Sequence, residues 1–295
     1  MTINEVSVFR RTERAGGLFR PRGRSTILAT RWGLPAVSLV ALCVMAPSGS
    51  AIAASATVTA SGIVHDPVQI ESSSRGVVTS TNWSGYADTG ASFTSVIGTW
   101  VQPTASCPTN QQQDASFWVG IDGFLKSSGT VEQIGTDSDC NKGNKKFPGG
   151  PSYYAWWEMF PQASNNLSTK QFPVFAGDTI SAQVTASGTT FTLTINDVSR
   201  GWSFSPGPQT ASAAESSAEW IAEAPSICRG SKCTPVKLAA FGTVSFTGAA
   251  ANGSAISASA FSDNQINMTK GKKTLKASAS ALSGGSAFSV TWHHN

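Results

Sequence analysis

Two glutamates four residues apart, Glu219 and Glu223, flank Trp220 and Ile221 in the run Ser217-Ala-Glu-Trp-Ile-Ala-Glu223. On an extended chain Glu219, Ile221 and Glu223 point one way and Ala218, Trp220 and Ala222 the other, so one face packs while the other presents acid. Most such pairs are simply solvated. This pair draws notice because the chain offers few other reactive groups. No histidine lies between His65 and His293, which denies the body of the chain the imidazole of Ser/His/Asp or Cys/His hydrolysis. Glycine-rich phosphate cradles are missing, and without a CxxC pair a zinc site is disfavoured. The chemistry left is carboxylic: Glu132, Glu158, Glu219, Glu223, Asp122 and Asp137, with side-chain amides nearby. No metal or cofactor is called for.

The elements that must position these groups read as strands. Only 13% of residues are charged and 28 are Gly, a composition that suits short strands and tight turns better than surface helices. Strand-like segments follow at 81–86, 93–101, 116–121, 130–136, 152–160, 179–186, 190–197, 216–223, 238–246 and 287–293, with Gly, Pro, Asn or Asp in most gaps. Residues 189–195 alternate polar and apolar, the mark of a strand with one wet face. No helical pattern of useful length appears, and the spacing implies an all-β sandwich or barrel. Aromatic residues cluster in Tyr153-Tyr-Ala-Trp-Trp-Glu-Met-Phe160 and in Asn82-Trp83-Ser84-Gly85-Tyr86.

Residues 1–53 read as a secretory signal: seven arginines, the apolar run Leu34-Pro-Ala-Val-Ser-Leu-Val-Ala-Leu-Cys-Val-Met-Ala46, and Ala51-Ile-Ala53. The run is short for a membrane span. Without the leader the chain carries 14 basic and 15 acidic residues, so it has no general basic surface for nucleic acid or anionic lipid. Residues 54–76 are small and polar, a short propeptide or mobile arm, and 77–295 form the expected domain. The expected product is a secreted monomer with no stable membrane association once the signal is removed. Four cysteines remain outside the leader, an even number that reads as disulfides in an exported protein. Cys228 and Cys233 bracket a turn-like loop, which favours pairing them locally and leaves Cys107 with Cys140. Three connectivities are open.

Five collinear segments resemble the glutamic peptidase (eqolisin) family, in a secreted, bacterial-type member. They are Asn82-Trp-Ser-Gly85, Trp118-Val-Gly-Ile-Asp-Gly123, Glu132-Gln-Ile-Gly-Thr-Asp137, the stretch from Tyr153 to Pro161, and Ala218-Glu-Trp-Ile-Ala-Glu223. The resemblance implies a lectin-like (concanavalin-like) sandwich of two antiparallel sheets and an acid endopeptidase acting on protein or peptide substrates. It also implies a Gln133/Glu219 dyad, with Trp83, Asp122 and Glu158 lining or buttressing the substrate groove. Tyr154, Met159 and Phe160 depart from the family's usual residues. Amide hydrolysis needs a base for water, a donor for the oxyanion and an acid for the leaving nitrogen. Glu219 would serve as base and then acid, and the Gln133 amide as a donor that stays uncharged at any pH. A ring-lined groove raises a glutamic acid above its free value of about 4.3, which suits acid operation. The rival readings are a carbohydrate-binding sandwich with Trp83, Trp156 and Trp157 as a stacking platform, and a glycoside hydrolase using Glu219 with Glu158.

Overall fold

The computed structural model describes residues 62–295 apart from 75–76, 109, 147, 230–231 and 272–273. The leader reading, and residues 54–61 of the arm, lie outside the described residues. Those described form strands and loops, with no helix among them. The first eight strands are β1 (Gly62–Val64), β2 (Ile70–Ser74), β3 (Val77–Ser80), β4 (Trp83–Thr89), β5 (Ser95–Val101), β6 (Ser116–Ile121), β7 (Val131–Asn141) and β8 (Gly150–Phe160), and the site is carried by β4, β6, β7, β8 and the later strand Ser217–Glu223.

One layer runs in spatial order β8, β7, β6, Ser217–Glu223, β4 and Ser262–Lys270, all antiparallel. The second runs Thr190–Asp197, Thr179–Ser187, β5, Thr243–Ala251, Phe288–Trp292 and Thr274–Ala279, also antiparallel. The Ser262–Lys270 strand belongs to both, pairing β4 with its first half and Thr274–Ala279 with its second. β3 is the exception to the antiparallel rule, lying parallel to Ser262–Lys270. The layers form a β-sandwich, as the alternation and turn spacing predict. The strands at 262–270 and 274–279 are absent from that reading because Ser, Asn and Lys dominate them, and their pairing comes from neighbours rather than from β-propensity. The strand expected at 238–246 begins later, at Thr243.

Alternation decides what each face of the first layer does. Ala218, Trp220 and Ala222 point into the main core with Phe117, Val119, Ile134 and, from the second layer, Val184, Leu193 and Phe246. Trp220 also ties the layers by donating its indole N–H to the Ile97 carbonyl at 2.7 Å. The opposite face carries Ile221, Trp83, Trp118 and Trp156 in a second cluster. Gly85 is required where β4 passes the Ser217–Glu223 strand: its φ is 147°, and a Cβ there would run into the carbonyl oxygen of Trp220.

Both cysteine pairs are bridged, Cys107 to Cys140 and Cys228 to Cys233. The second closes the Ser226–Arg229 and Lys232–Pro235 hairpin, to which β1 adds as a third strand. The segment 62–74, read as part of a propeptide or mobile arm, is therefore held: β1 pairs with this hairpin and β2 with β3.

Candidate active site

The second cluster's face is unusual for what it buries. Gln133, Asp137, Glu158, Glu219 and Glu223 all show no exposed surface there. Register sets the rows. Glu219, Gly120, Gln133 and Glu158 lie level across four neighbouring strands, and Glu223, Ser116, Asp137 and Tyr154 lie level four residues along. Between them runs a row with Ile221, Trp118, Gly135 and Trp156.

Trp118 separates the two glutamates. Its ring lies over Gly120, where a Cβ would come within 3.0 Å of the indole Cζ3, so the gap between Glu219 and Gln133 is filled by ring. The other edge of the same indole donates Nε1–H to Glu223 Oε2 at 2.8 Å. The environments differ accordingly. Burial pushes Glu219 well above the usual carboxylate range, with the negative charges of Asp122, Glu132 and Asp88 adding to it. The Ser217 hydroxyl opposes that rise, although neither Glu219 oxygen has a donor in close hydrogen-bonding geometry. Burial also pushes Glu223 well up, but here the charge of His65 pulls the other way, and Asp66 and Glu158 are its other charged neighbours.

His65 is the residue the sequence reasoning set aside, because it precedes the expected domain. Its ring stacks on Trp156 with centroids 3.4 Å apart and planes 4° from parallel. Nδ1 lies 2.8 Å from Glu158 Oε2, and Nε2 lies 3.0 Å from Ser116 Oγ and 3.7 Å from Asp137 Oδ1. Burial opposes an imidazolium, yet the Asp137 and Glu158 carboxylates outweigh it and push the pKa up to about 10. Glu158 is itself raised by burial, with His65 opposing. Asp137 is fixed from behind by the Trp156 indole N–H at 2.6 Å and by the Tyr154 hydroxyl at 2.9 Å.

The backbone around His65 is gripped like a bound peptide. His65 N–H donates to Glu158 Oε2 at 3.0 Å, and the Gln133 amide donates Nε2–H to the His65 carbonyl at 2.8 Å. The next carbonyl, of Asp66, accepts from Trp83 Nε1 at 2.9 Å and from Asn82 Nδ2 at 3.4 Å, and that of Pro67 accepts from Asn82 Nδ2 at 3.1 Å. Val68 N–H reaches the Gly123 carbonyl at 3.0 Å. Asn82 and Trp83 of the first motif, Gln133 of the third and Glu158 of the fourth thus meet along one extended segment.

Asp122 does something else. Its carboxylate accepts from the backbone N–H groups of Ala214, Glu215 and Ser216, each at 2.8 Å, and from Ser216 Oγ at 2.7 Å. It holds the loop that leads into the Ser217–Glu223 strand, and its own φ of 71° shows the cost of that position. Of the residues expected at the site, the structure brings Gln133, Glu158 and Trp83 together along the 65–68 segment, assigns Asp122 to the supporting loop, and sets Glu219 level with Gln133 two strands away, with the Trp118 ring over the Gly120 between them. The added members are His65, Ser116, Trp118, Asp137, Trp156 and Glu223. Glu223 was visible in the motif, but strand alternation treats it as equivalent to Glu219 and cannot rank the two.

An extended peptide segment held along one sheet face, with side-chain amides and an indole N–H donating to its carbonyls and a buried carboxylate accepting from its N–H, defines a peptide-binding β-sandwich. Residues 81–292 match the Peptidase A4 family. Scytalidopepsin B of Scytalidium lignicola is 30% identical over 212 residues, covering 68% of this chain and 76% of that protein. Scytalido-glutamic peptidase, solved with a peptide based transition state analog, superposes with a TM-score of 0.58 at 25% identity, over 76% of this chain and 100% of that one. A second structure of that peptidase, with a transition state analog inhibitor, gives a TM-score of 0.59 at the same identity and coverage. The chain belongs to the Peptidase A4 family and is a glutamic endopeptidase. The carbohydrate-binding and glycosidase readings give way to this membership.

Proposed function

We propose that this peptidase works through Gln133 and Glu223, outside the cell and in acid. The observation that carries the reading is the Gln133 Nε2–H bond to the His65 carbonyl, a peptide carbonyl held where an oxyanion donor must be. Glu223 has His65 and Asp66, the two residues on either side of that peptide bond, among its charged neighbours. In this mechanism Glu223 takes a proton from the attacking water and returns it to the leaving nitrogen, while the Gln133 amide stabilises the tetrahedral oxyanion. The Trp118 indole N–H steadies the Glu223 carboxylate in its ionised form. Glu158 and Trp83 hold the substrate backbone on either side of the scissile bond, as they hold the N–H of His65 and the carbonyl of Asp66.

Burial raises Glu223 and favours the protonated form, while the charge of His65 and the Trp118 N–H oppose that rise and favour the ionised form that must take the proton from water. The transition state analogs bound by scytalido-glutamic peptidase fit a groove of this kind. Two disulfides support an oxidising compartment, in keeping with the leader-like residues 1–53. The test is hydrolysis of a denatured protein by the wild type, Glu223→Gln and Glu219→Gln at about pH 4, near the free glutamic acid value. Loss confined to Glu219→Gln would overturn the assignment.

A further inference from the structure

The segment in the groove belongs to this chain. Val64 pairs with Ser226 at the end of β1, and the chain then turns its next residues onto the face that carries Gln133 and Glu223. Every backbone polar group from His65 N–H to Val68 N–H, the Asp66 N–H apart, has a partner among side chains or backbone of that face. A segment that only packed against the domain would have no need to place its carbonyl on the Gln133 amide. Nor would it need a side-chain pocket matched to imidazole on four counts: a flat ring to stack on, two carboxylates and a hydroxyl.

We propose that residues 63–67 are a tethered substrate. The pocket of Trp156, Glu158, Ser116 and Asp137 is a subsite for an imidazole side chain on the acyl side of the scissile bond, and the chain cuts itself between His65 and Asp66. The inference rests on the peptidase reading above and adds to it a bond and a substrate preference.

The step balances without a co-reactant. The oxygen of water bonds to the His65 carbonyl carbon, and the C–N bond to Asp66 breaks. Glu223 carries a proton from the water to the Asp66 nitrogen. The products are a chain ending in the His65 carboxylate and one beginning with the Asp66 amine. β2 and β3 stay together on the product that begins with Asp66, while β1 goes with the other product and is held to its hairpin by strand pairing alone. Imidazole is set apart from an aliphatic side chain by its bonds to Glu158 and Ser116, which a leucine forfeits while leaving both groups unpaired.

The test has two arms on one preparation. Intact wild-type protein held at about pH 4 should give a new N-terminus at Asp66, with a first-order rate independent of protein concentration, and Glu223→Gln should not. Acid scission of the neighbouring Asp66–Pro67 bond without catalysis would instead leave Pro67 first. In the second arm, peptides Gly-Ile-Val-X-Asp-Pro-Val-Gln are offered in trans to the processed enzyme. X = His should exceed X = Leu at least about tenfold in kcat/KM, the size of one charge-assisted hydrogen bond. Glu158→Gln should bring that ratio toward one, which a merely structural role for Glu158 would not do. A preparation active on denatured protein that leaves His65–Asp66 intact, or that cuts the Leu peptide as fast as the His peptide, overturns the proposal and spares the peptidase reading. A folded preparation inactive on denatured protein overturns both.

Discussion

Glu219 and Glu223 sit on the same face of the same strand, both fully buried, both raised by that burial, and yet in different chemistry. Glu223 accepts from the Trp118 indole and has His65, Asp66 and Glu158 as its charged neighbours. Glu219 has the Ser217 hydroxyl opposing its rise but no cation among its named neighbours, and the Trp118 indole lies over Gly120, the residue level with it on the next strand. Burial is common to the two. What distinguishes them is the indole donor and the neighbouring cation at Glu223, and the proposed roles rest on that difference.

The sharpest way to break this comparison is to exchange the carboxyls for amides. Glu223→Gln removes the proton carrier and should cost about 10³ or more in kcat, measured on denatured protein with folding checked by near-ultraviolet circular dichroism. Gln133→Ala removes the oxyanion donor, with an expected loss of roughly 10²–10³. A Gln133→Ala enzyme that keeps wild-type kcat would detach the amide from the chemistry.

Glu219→Gln should leave kcat within a few-fold and act on stability instead. Because its folded pKa is raised, Glu219 costs nothing below its unfolded value and progressively more as pH climbs above it. The amide escapes that cost, so Tm should rise relative to wild type at about pH 7 and match it near about pH 4. An unchanged difference at both values would mean that Glu219 is not titrating.

The smallest effect per group, summed over the molecule, is the pH profile of the wild type. Burial raises Asp88 and Glu132 to about 8, and Glu158, Glu219 and Glu223 are raised as well. The folded protein thus holds more protons than the unfolded chain between about pH 4.5 and pH 8, and stability falls as pH rises through that window. His65 acts in the same direction: its contribution is full below about 6.5 and is lost as pH climbs toward about 10. Thermal scans should give the higher Tm at the acid end, and a Tm that rose from pH 4.5 to pH 8 would contradict these burial effects.

The strand pattern was legible in local periodicity and the disulfides in the cysteine count and the close spacing of one pair, whereas the motif residues that meet at the groove were legible through the family resemblance. Alternation put Trp220 inward and both glutamates outward, and the structure agrees. The edge of that reasoning is visible in the polar strands 262–270 and 274–279, whose pairing depends on neighbours that the local sequence does not name.

By itself the sequence determined an all-β chain of short strands with carboxylic chemistry and, through its family resemblance, a β-sandwich and several of the residues that meet in the groove. Only the tertiary structure decided that the two glutamates differ in their surroundings, because that depends on how one indole lies across Gly120 and which carboxylate its N–H meets. It alone also brought His65 onto Trp156 and Glu158. Those contacts cross 91 residues or more of chain between His65 and Trp156, and strand alternation reaches no further than the strand it describes.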